Sequence, residues 1–289
     1  MKIAVFGNIY QSSKSVSARR FFEVIRQHGA EIYIDGEFMD FLRSQHVLPV
    51  GARRIDGNDF DADIAVSIGG DGTFLKTAER INGRDIPVVG INAGRLGFLA
   101  DISEDELPDL AAELFSGDYR KEARSMLEVV GAPLPEGYWP YALNEVAVLK
   151  QESSSMITIN TRLGDEFLNS YQADGLIIST PTGSTGYSLS VGGPVLMPRT
   201  SNFVISPVAP HSLNVRPLVV SDSEEIRLSV SSRTGNFLLS LDGRSIVMPC
   251  KAEIKLRKAP FSTILLKRHT HNFLDTLRNK LMWGADKRN

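Results

Sequence analysis

The sequence predicts two structural parts: an α/β N-terminal domain with a Rossmann-like parallel sheet, and a mostly-β C-terminal domain folded as a distorted β-sandwich. Three observations lead to this prediction. Up to about residue 119, short apolar runs alternate with stretches that have apolar residues at helical spacing. Short runs of alternating apolar and polar residues follow, separated by Gly, Ser, Asn and Pro. The last segment again has apolar residues at helical spacing. We predict domains over residues 1–119 and 120–267, and a C-terminal helix over 268–289 that returns to the first domain.

The first part reads as a series of βα units, because each short apolar run is followed by a stretch with apolar residues at helical spacing. The predicted strands lie at residues 2–6, 32–34, 64–68 and 87–91, and the predicted helices at residues 16–28, 38–45, 74–81 and 104–115. Gly29 stands just beyond the first helix, where a residue with positive φ is expected.

The second part alternates over shorter distances, which is typical of strands that have one buried face. Examples of these predicted strands lie at residues 142–149, 157–163, 226–230 and 238–241. The basic stretches at 255–258 and 267–268 read as solvated strand faces. The last helix, at 272–280, has an apolar stripe that must be buried, by preference against the first domain and otherwise against a neighbouring subunit.

Composition excludes several classes of protein. The 289 residues are 42% hydrophobic and include 32 Lys plus Arg and 34 Asp plus Glu, so the net charge of −2 offers no general attraction to nucleic acid or to an anionic membrane. Cys250 is the only cysteine, which excludes an intrachain disulfide and a cysteine-rich zinc site. No apolar run approaches the ~18 residues of a membrane span. We expect a cytoplasmic protein without nucleic-acid or membrane partners.

The first segment with chemical content is Ser67-Ile68-Gly69-Gly70-Asp71-Gly72-Thr73-Phe74, which follows a predicted strand and opens a helix. Glycines let backbone N–H groups approach phosphate oxygens, and a helix N-terminus adds positive partial charge. Asp71 could accept a proton from an attacking hydroxyl or hold a metal ion on the phosphates. An ordinary tight turn with an aspartate near a helix cap remains the plain alternative.

Two common nucleotide-binding motifs are absent. The first strand is followed by Gly7-Asn8-Ile9-Tyr10, which does not fit G-x-G-x-x-G. The glycines of residues 90–98 have the wrong spacing for that motif and do not form the G-x-x-x-x-G-K-[ST] order of a P-loop.

A second segment is rich in hydroxyl side chains and glycines. It contains Ala173-Asp174-Gly175-Leu176 and then Ser179-Thr180-Pro181-Thr182-Gly183-Ser184-Thr185-Gly186-Tyr187-Ser188. Such a run provides hydrogen-bond partners and one aromatic face for a ligand. The alternative is an ordinary surface loop.

Four blocks, taken in order, make the chain resemble the bacterial NAD kinase family along nearly its whole length. They are Gly69-Gly70-Asp71-Gly72-Thr73, Asn92-Ala93-Gly94-Arg95-Leu96-Gly97-Phe98, Leu143-Asn144-Glu145, and the segment from Asp174-Gly175 to Tyr187. The first block alone is shared with lipid and sphingoid kinases, whereas four blocks in order are highly specific.

The resemblance implies roles for individual residues. Asp71 would be the base for the ribose hydroxyl, Asn144 would bind the adenine edge, and Glu145 would hold ribose hydroxyls. Asp174 and Tyr187 would surround the nicotinamide half. The substrate- and nucleotide-binding residues implied in this way are Gly70, Gly72, Lys76, Phe98, Asn144, Glu145, Asp174, Thr182, Thr185, Gly186, Tyr187, Ser188 and Arg244.

Some positions depart from the family pattern or allow another interpretation. Leu99 stands where many relatives have a second aromatic residue, Gly186 replaces a frequent alanine, and Arg244 lies where several relatives carry a polar amide. Lys76 resembles a ligand-binding basic position but equally fits a solvated helix lysine. His211, flanked by a proline, fits a structural turn.

The resemblance also implies ATP as phosphoryl donor, with polyphosphate as a further donor of some relatives, and Mg²⁺ carried on the donor phosphates and not bound in a protein cage. It implies a homo-oligomer, a tetramer or a dimer. Two rival functions remain open at this point. They are a lipid or sphingoid kinase, which needs an apolar acceptor site, and a non-catalytic sensor of NAD or NADP, which has no use for Asp71.

Overall fold

The computed structural model describes residues 1–9, 14–94, 96–152 and 155–284. The chain divides into two compact units, the first of residues 1–123 and 263–289 and the second of residues 124–262. These limits differ from the predicted divisions at 119 and 267 by a few residues, because one strand runs across each limit. Among the described helices, none is long and apolar enough to cross a membrane.

Strands and helices alternate in the first part of the chain, and strands dominate the remainder. The strands are β1 (Lys2–Gly7), β2 (Glu31–Asp35), β3 (Arg53–Ile55), β4 (Ile64–Gly69), β5 (Val88–Asn92), β6 (Arg120–Val130), β7 (Tyr141–Ala142), β8 (Glu145–Leu149), β9 (Ile157–Leu163), β10 (Glu166–Ala173), β11 (Gly175–Ser179), β12 (Asn202–Val208), β13 (Leu218–Ser221), β14 (Ile226–Ser231), β15 (Asn236–Leu241), β16 (Arg244–Pro249) and β17 (Glu253–Lys267). The helices are α1 (Lys14–Arg26), α2 (Gly36–Ser44), α3 (Asp71–Ile81), α4 (Leu107–Ser116), α5 (Tyr187–Ser190) and α6 (Phe273–Leu281), with 3₁₀ turns at Glu104–Glu106 and Gly183–Thr185.

The first unit contains a parallel sheet in the order β3, β2, β1, β4, β5. The end of β17 adds a parallel neighbour to β5 through Leu265 and Val88. The chain moves outward from β1 to β3 and then returns to the other side of β1 with β4. In such doubly wound sheets the reversal of strand order leaves a crevice at the carboxyl ends of the two central strands, where ligands bind. The predicted α/β domain is confirmed.

Helices α1, α2 and α4 bury their apolar faces in one core with this sheet, as the helical spacing predicted. Phe21, Phe38 and Leu110 are each 1% exposed. Every residue of β4 is buried, which explains its uninterrupted apolar run. Gly29 follows α1 with φ of +68°, the left-handed conformation expected beyond the helix.

The second unit is a β-sandwich. One antiparallel sheet has the order β13, β12, β11, β8, β15, β16, and the other contains β10, β9, β14 and the first part of β17. Inward side chains of both sheets, among them Val148 and Phe203 from one and Ile159 and Ile254 from the other, form one apolar cluster. The predicted mostly-β domain is confirmed.

One prediction about surface charge is wrong. Lys267 and Arg268, interpreted as part of a solvated strand face, are 7% and 6% exposed. The Lys267 ammonium lies 2.7 Å from Asp101 Oδ2. Buried cations require such partners, and here the carboxylates come from distant parts of the chain. Those facing Arg268 belong to Glu106, Asp109 and Glu113.

His271 extends this buried network to the residues before α6. Its Nε2 lies 2.5 Å from Glu106 Oε1 and its Nδ1 lies 3.6 Å from Asp101 Oδ2. The neighbouring Asp101 carboxylate, against the effect of burial, raises the pKa of His271. Burial alone would raise the pKa of Asp101, but Lys267 and His271 outweigh it and the pKa falls below its ordinary value. The network therefore ties the start of α6 to the first unit through ion pairs.

Candidate active site

The glycine loop connects β4 to α3 at the crevice of the first unit. β4 ends at Gly69, Gly70 is the N-cap of α3, and Asp71 is the first helical residue. A Cβ atom added to Gly70 or Gly72 would meet no atom within 4 Å. This open space lets an anionic group approach the first N–H groups of α3, where the helix dipole favours negative charge.

The Asp71 side chain does not cap its own helix. Its Oδ1 accepts the backbone N–H groups of Leu99 at 3.0 Å and Ala100 at 3.1 Å, and its Oδ2 accepts that of Phe98 at 3.0 Å. The carboxylate is thus oriented by three fixed donors from the segment after β5. This contact joins the first and second blocks of the family pattern within the first unit.

Gly97 makes that orientation possible. A Cβ atom on Gly97 would lie 2.0 Å from Asp71 Oδ1 and 2.9 Å from the carbonyl oxygen of Ala100. Any side chain there would displace the carboxylate or the backbone. Arg95 of the same block lies outside the described residues.

Lys280 of α6 also contacts Asp71, and sequence reasoning missed it. Its Nζ lies 3.3 Å from Asp71 Oδ2 and 4.7 Å from the centre of the Phe98 ring. The Phe98 ring, in turn, packs against Phe273 of α6, with centroids 5.9 Å apart. The apolar stripe of α6 is buried only in part, since Leu277 is 8% and Leu274 47% exposed, and no local signal pointed the lysine of this helix toward Asp71. Lys76 is exposed one turn further along α3.

In the second unit, Asn144 and Glu145 are held by Asp242. The Asp242 carboxylate accepts the N–H groups of Leu143 at 2.7 Å, Asn144 at 2.8 Å and Glu145 at 3.0 Å. Asp242 and Gly243 have φ of +48° and +83° and form the two-residue turn between β15 and β16. Asp-Gly between apolar runs is a strong hairpin signal, and it could have identified this turn.

Two buried oxygen atoms in this region accept no hydrogen bond from any described residue: Asn144 Oδ1 and Glu145 Oε2. Buried acceptors in proteins are nearly always paired, so unpaired ones mark a place for the donors of a ligand. Burial first, and then the neighbouring Asp242, raise the pKa of Glu145 to about 7, although the N–H of Tyr187 opposes the shift.

The loop rich in hydroxyl groups packs directly on these two residues. A Cβ atom on Gly183 would lie 2.0 Å from the carbonyl oxygen of Asn144, and one on Gly186 would lie 3.0 Å from Glu145 Oε2. Tyr187 begins α5 and is 38% exposed. The structure therefore brings Asn144, Glu145, Gly186 and Tyr187 together within the second unit.

Other hydroxyl groups of this loop form hydrogen bonds within the protein. The Thr182 Oγ1 accepts a hydrogen bond of 3.2 Å from the buried Arg124, which sequence reasoning did not single out. Thr185 donates its hydroxyl to the carbonyl oxygen of Thr182. Ser188 is fully buried and its hydroxyl lies 2.9 Å from that of Ser206. Its side chain has no exposed atom for a ligand.

Asp174 and Arg244 have protein partners in the same unit. Asp174 Oδ1 lies 2.6 Å from the ammonium of Lys150. Arg244 donates to the carbonyl oxygens of Trp139 at 3.0 Å and Tyr141 at 2.7 Å. These contacts of Arg244 hold the segment that leads into β7.

The predicted site residues are divided between the two units, with Asp71 and Phe98 in the first and Asn144 and Glu145 in the second. The remaining ones of the first unit are Gly70, Gly72 and Lys76, and those of the second are Asp174, Thr182, Thr185, Gly186, Tyr187, Ser188 and Arg244.

Two family models match the chain. The one described as ATP-NAD kinase N-terminal domain matches residues 3–119, and the one described as ATP-NAD kinase C-terminal domain matches residues 143–267. The NAD kinase of Bacteroides fragilis is 51% identical over 289 residues, which is 100% of both chains. The NAD kinase of Porphyromonas gingivalis is 46% identical over 286 residues, 98% of each chain.

Two solved structures have a similar fold. A yeast NADH kinase complexed with NADH superposes with a TM-score of 0.87 at 22% identity, over 99% of this chain and 89% of that one. An NAD kinase from Archaeoglobus fulgidus in complex with ATP superposes with a TM-score of 0.77 at 25% identity, over 98% and 99% of the two chains. At 22% identity, the similarity to the yeast structure is evidence for the fold alone.

Proposed function

The chain belongs to the ATP-NAD kinase family, and on that basis we propose which of its residues carry the reaction of an NAD kinase. In this reaction the terminal phosphoryl group of ATP is transferred to the 2′-hydroxyl of the adenosine ribose of NAD. The lipid or sphingoid kinase and the non-catalytic sensor find no support among the relatives. Each part of the reaction falls to particular side chains.

Asp71 is the base that takes the proton of the 2′-hydroxyl as its oxygen attacks the terminal phosphorus. Three backbone N–H groups orient its carboxylate beside the N-terminus of α3, where phosphates bind favourably. Phosphoryl transfer needs in-line positioning and charge neutralisation more than covalent chemistry. Gly70 and Gly72 leave the open space in which the donor phosphates lie.

The observation that carries the adenosine assignment is the pair of unpaired buried acceptors, Asn144 Oδ1 and Glu145 Oε2. The adenine amino group and a ribose hydroxyl are donors that match an amide oxygen and a carboxylate. Tyr187, exposed beside them, and Asp174 are assigned to the nicotinamide half. Thr182, Thr185, Ser188 and Arg244 shape the pocket through internal hydrogen bonds.

The decisive experiment incubates the purified protein with Mg-ATP and either NAD, diacylglycerol or a sphingoid base. NADP formed from NAD, with its new phosphate on the 2′-oxygen by NMR, is the expected result. Phosphorylated lipid with unchanged NAD would contradict the assignment. The Asn144→Ala variant, measured in the same assay, tests the adenine contact. Its KM for NAD should be raised more than its KM for ATP.

Glu145→Gln tests the ribose contact through its pH dependence. Because the pKa of Glu145 is raised to about 7, the carboxylate that accepts the ribose hydroxyls forms only as pH rises through 7. We expect NAD affinity of the unmodified protein to rise over pH 6–8. In Glu145→Gln this rise should vanish, and affinity at pH 8 should be about 10-fold weaker or more, since hydrogen bonds to charged groups contribute about 1.5–3 kcal/mol.

The same substitution should stabilise the fold at alkaline pH. The folded protein holds the Glu145 proton more tightly than the unfolded chain does, so stability is lost as pH rises from about 4.5 through about 7. Glutamine cannot ionise, so above pH 7 the free energy of unfolding of the variant should exceed that of the unmodified protein by up to about 3 kcal/mol. Glu166→Gln, at an exposed carboxylate of β10, is the control expected to change neither property. A pH-independent NAD affinity in the unmodified protein would contradict the role of Glu145.

We propose that Mg²⁺ arrives with ATP as part of the substrate. The described residues contain no cluster of three His, Cys, Asp or Glu side chains that could hold a metal ion, and Asp71 already accepts three N–H groups. Excess EDTA should abolish NADP formation, and added Mg²⁺ should restore it. Equilibrium dialysis should detect bound Mg²⁺ only when ATP is present. Polyphosphate in place of ATP is tested in the same assay.

The protein is proposed to act as a cytoplasmic homo-oligomer, a tetramer or a dimer. The family resemblance supports this, as do large exposed side chains in the second unit such as Phe167, Leu213 and Val247. Its single cysteine fits a reducing compartment. Light scattering should give a multiple of 31.8 kDa. A fully active monomer would contradict the oligomer, and recovery outside the cytoplasm on fractionation would contradict the location.

A further inference from the structure

The contact between Asp71 and Lys280 can be exchanged for a hydrogen bond from a substrate hydroxyl to Asp71. Its Oδ1 accepts the N–H groups of Leu99 and Ala100, and its Oδ2 accepts that of Phe98 and the ammonium of Lys280. Backbone donors are fixed by the chain, whereas Lys280 ends a flexible side chain. Since a carboxylate oxygen has two lone pairs, a hydroxyl that donates to Oδ2 must displace Lys280.

We propose that Lys280 is a further substrate-contacting residue of the phosphoryl-transfer site. It pairs with Asp71 while no donor is bound, and it contacts the terminal phosphate of ATP when both substrates are present. This inference rests on the proposed role of Asp71 as the base.

Distance supports the exchange. The attacking hydroxyl must lie about 3 Å from Asp71 Oδ2, and the phosphorus about 3–3.5 Å from the attacking oxygen. Lys280 Nζ is already 3.3 Å from Oδ2, so a small movement brings the ammonium into contact with the transferred phosphoryl group. The side chains of Lys280 and Asp71 are 30% and 29% exposed, so the substrates can reach both.

Charge supports it as well. The terminal phosphate carries more negative charge than one carboxylate and binds an ammonium more strongly. As the ribose oxygen forms its bond to phosphorus, the bond from phosphorus to the bridging oxygen of ADP breaks, and the hydroxyl proton passes to Asp71. Lys280 remains protonated throughout and neutralises charge on the transferred oxygens.

Helix α6 is anchored firmly enough to place the lysine. Asn272 caps it by accepting the N–H of Asp275 at 2.9 Å, and Leu277 is 8% exposed. Phe273 packs on Phe98, whose ring also supports the Lys280 ammonium. The ion-pair network of His271 precedes the helix.

The test compares Lys280→Met, which keeps the length and removes the charge, with Lys280→Arg and with Arg278→Met as control. Arg278 is a cation of the same helix, paired with Asp275 and not with Asp71. Lys280→Met should lower kcat/KM for ATP by about 10²-fold, as loss of a charged transition-state contact does. The KM for NAD and the melting temperature should stay unchanged. Lys280→Arg should recover part of the activity, and Arg278→Met should be fully active.

Calorimetry separates this inference from the role of Asp71. With saturating NAD present, Lys280→Met should bind Mg-ADP as the unmodified protein does and a non-hydrolysable ATP analogue more weakly, a result that needs no turnover. Full kcat/KM for ATP in Lys280→Met, or equal loss of ADP and analogue binding, would overturn the inference. Failure of the proposed function would show differently, as absence of NADP formation by the unmodified protein or as an active Asp71→Asn.

Discussion

Replacing Asp71 by asparagine is expected to lower kcat by about 10²–10⁴-fold, the usual contribution of a general base. Asparagine keeps the size of the side chain and its one oxygen can still accept the N–H groups of Leu99 and Ala100, but its amide nitrogen cannot accept a proton. NAD affinity should change little. The measurement is kcat and the NAD dissociation constant over a series of Mg²⁺ concentrations.

The structure defines the controls for this variant. Asparagine also loses the N–H of Phe98 and the ion pair with Lys280, so the melting temperature must be measured and the kinetics recorded well below it. Asp85→Asn, at an exposed aspartate, should have no effect. Near-normal turnover would refute the base assignment. Rescue by Mg²⁺ would instead assign Asp71 to the metal ion.

Substituting alanine for Gly97 is expected to lower kcat by about 10²-fold although Gly97 carries no side chain. The new Cβ would lie 2.0 Å from Asp71 Oδ1, so the carboxylate must move, and a displacement of about 1 Å at a reacting group can reduce the rate by that amount. Steady-state kinetics with saturating ATP and NAD measure the effect.

A double-mutant cycle with Asp71→Ala shows whether the effect passes through Asp71. Without the carboxylate, Gly97→Ala should reduce the remaining activity only slightly, because just the 2.9 Å approach to the Ala100 carbonyl remains. Gly72→Ala is the matched comparison for stability, since its Cβ would meet no atom within 4 Å and the melting temperature should be unchanged. If the losses of activity caused by Gly97→Ala and Asp71→Ala are additive, Gly97 acts independently of the Asp71 carboxylate.

Local sequence patterns were sufficient for the fold class of both units, whereas β10, β12 and β13 of the second unit were not among the predicted strands. The apolar run of β4 reflects burial of the whole strand, and the amphipathic spacing of α1 and α2 reflects burial of one face of each helix. Each pattern can therefore be detected within a single segment of the sequence. β17 was missed as one strand of 253–267, because Pro260 and clustered charges interrupt its alternation. The burial of Lys267 and Arg268 does not follow from the local pattern, because their carboxylate partners Asp101 and Glu113 lie 166 and 155 residues away in the chain.

The candidate site divides in the same way. Composition and spacing by themselves pointed to the glycine loop with Asp71 and to the loop before Tyr187, because phosphates and sugar hydroxyls require such residue types close together in the chain. The Asn144-Glu145 pair was implied by the family resemblance alone. Only the tertiary structure decided which groups face them. Lys280 meets Asp71 across 209 positions and Asp242 meets Asn144 across 98, and contacts at such separations leave no periodicity in the sequence.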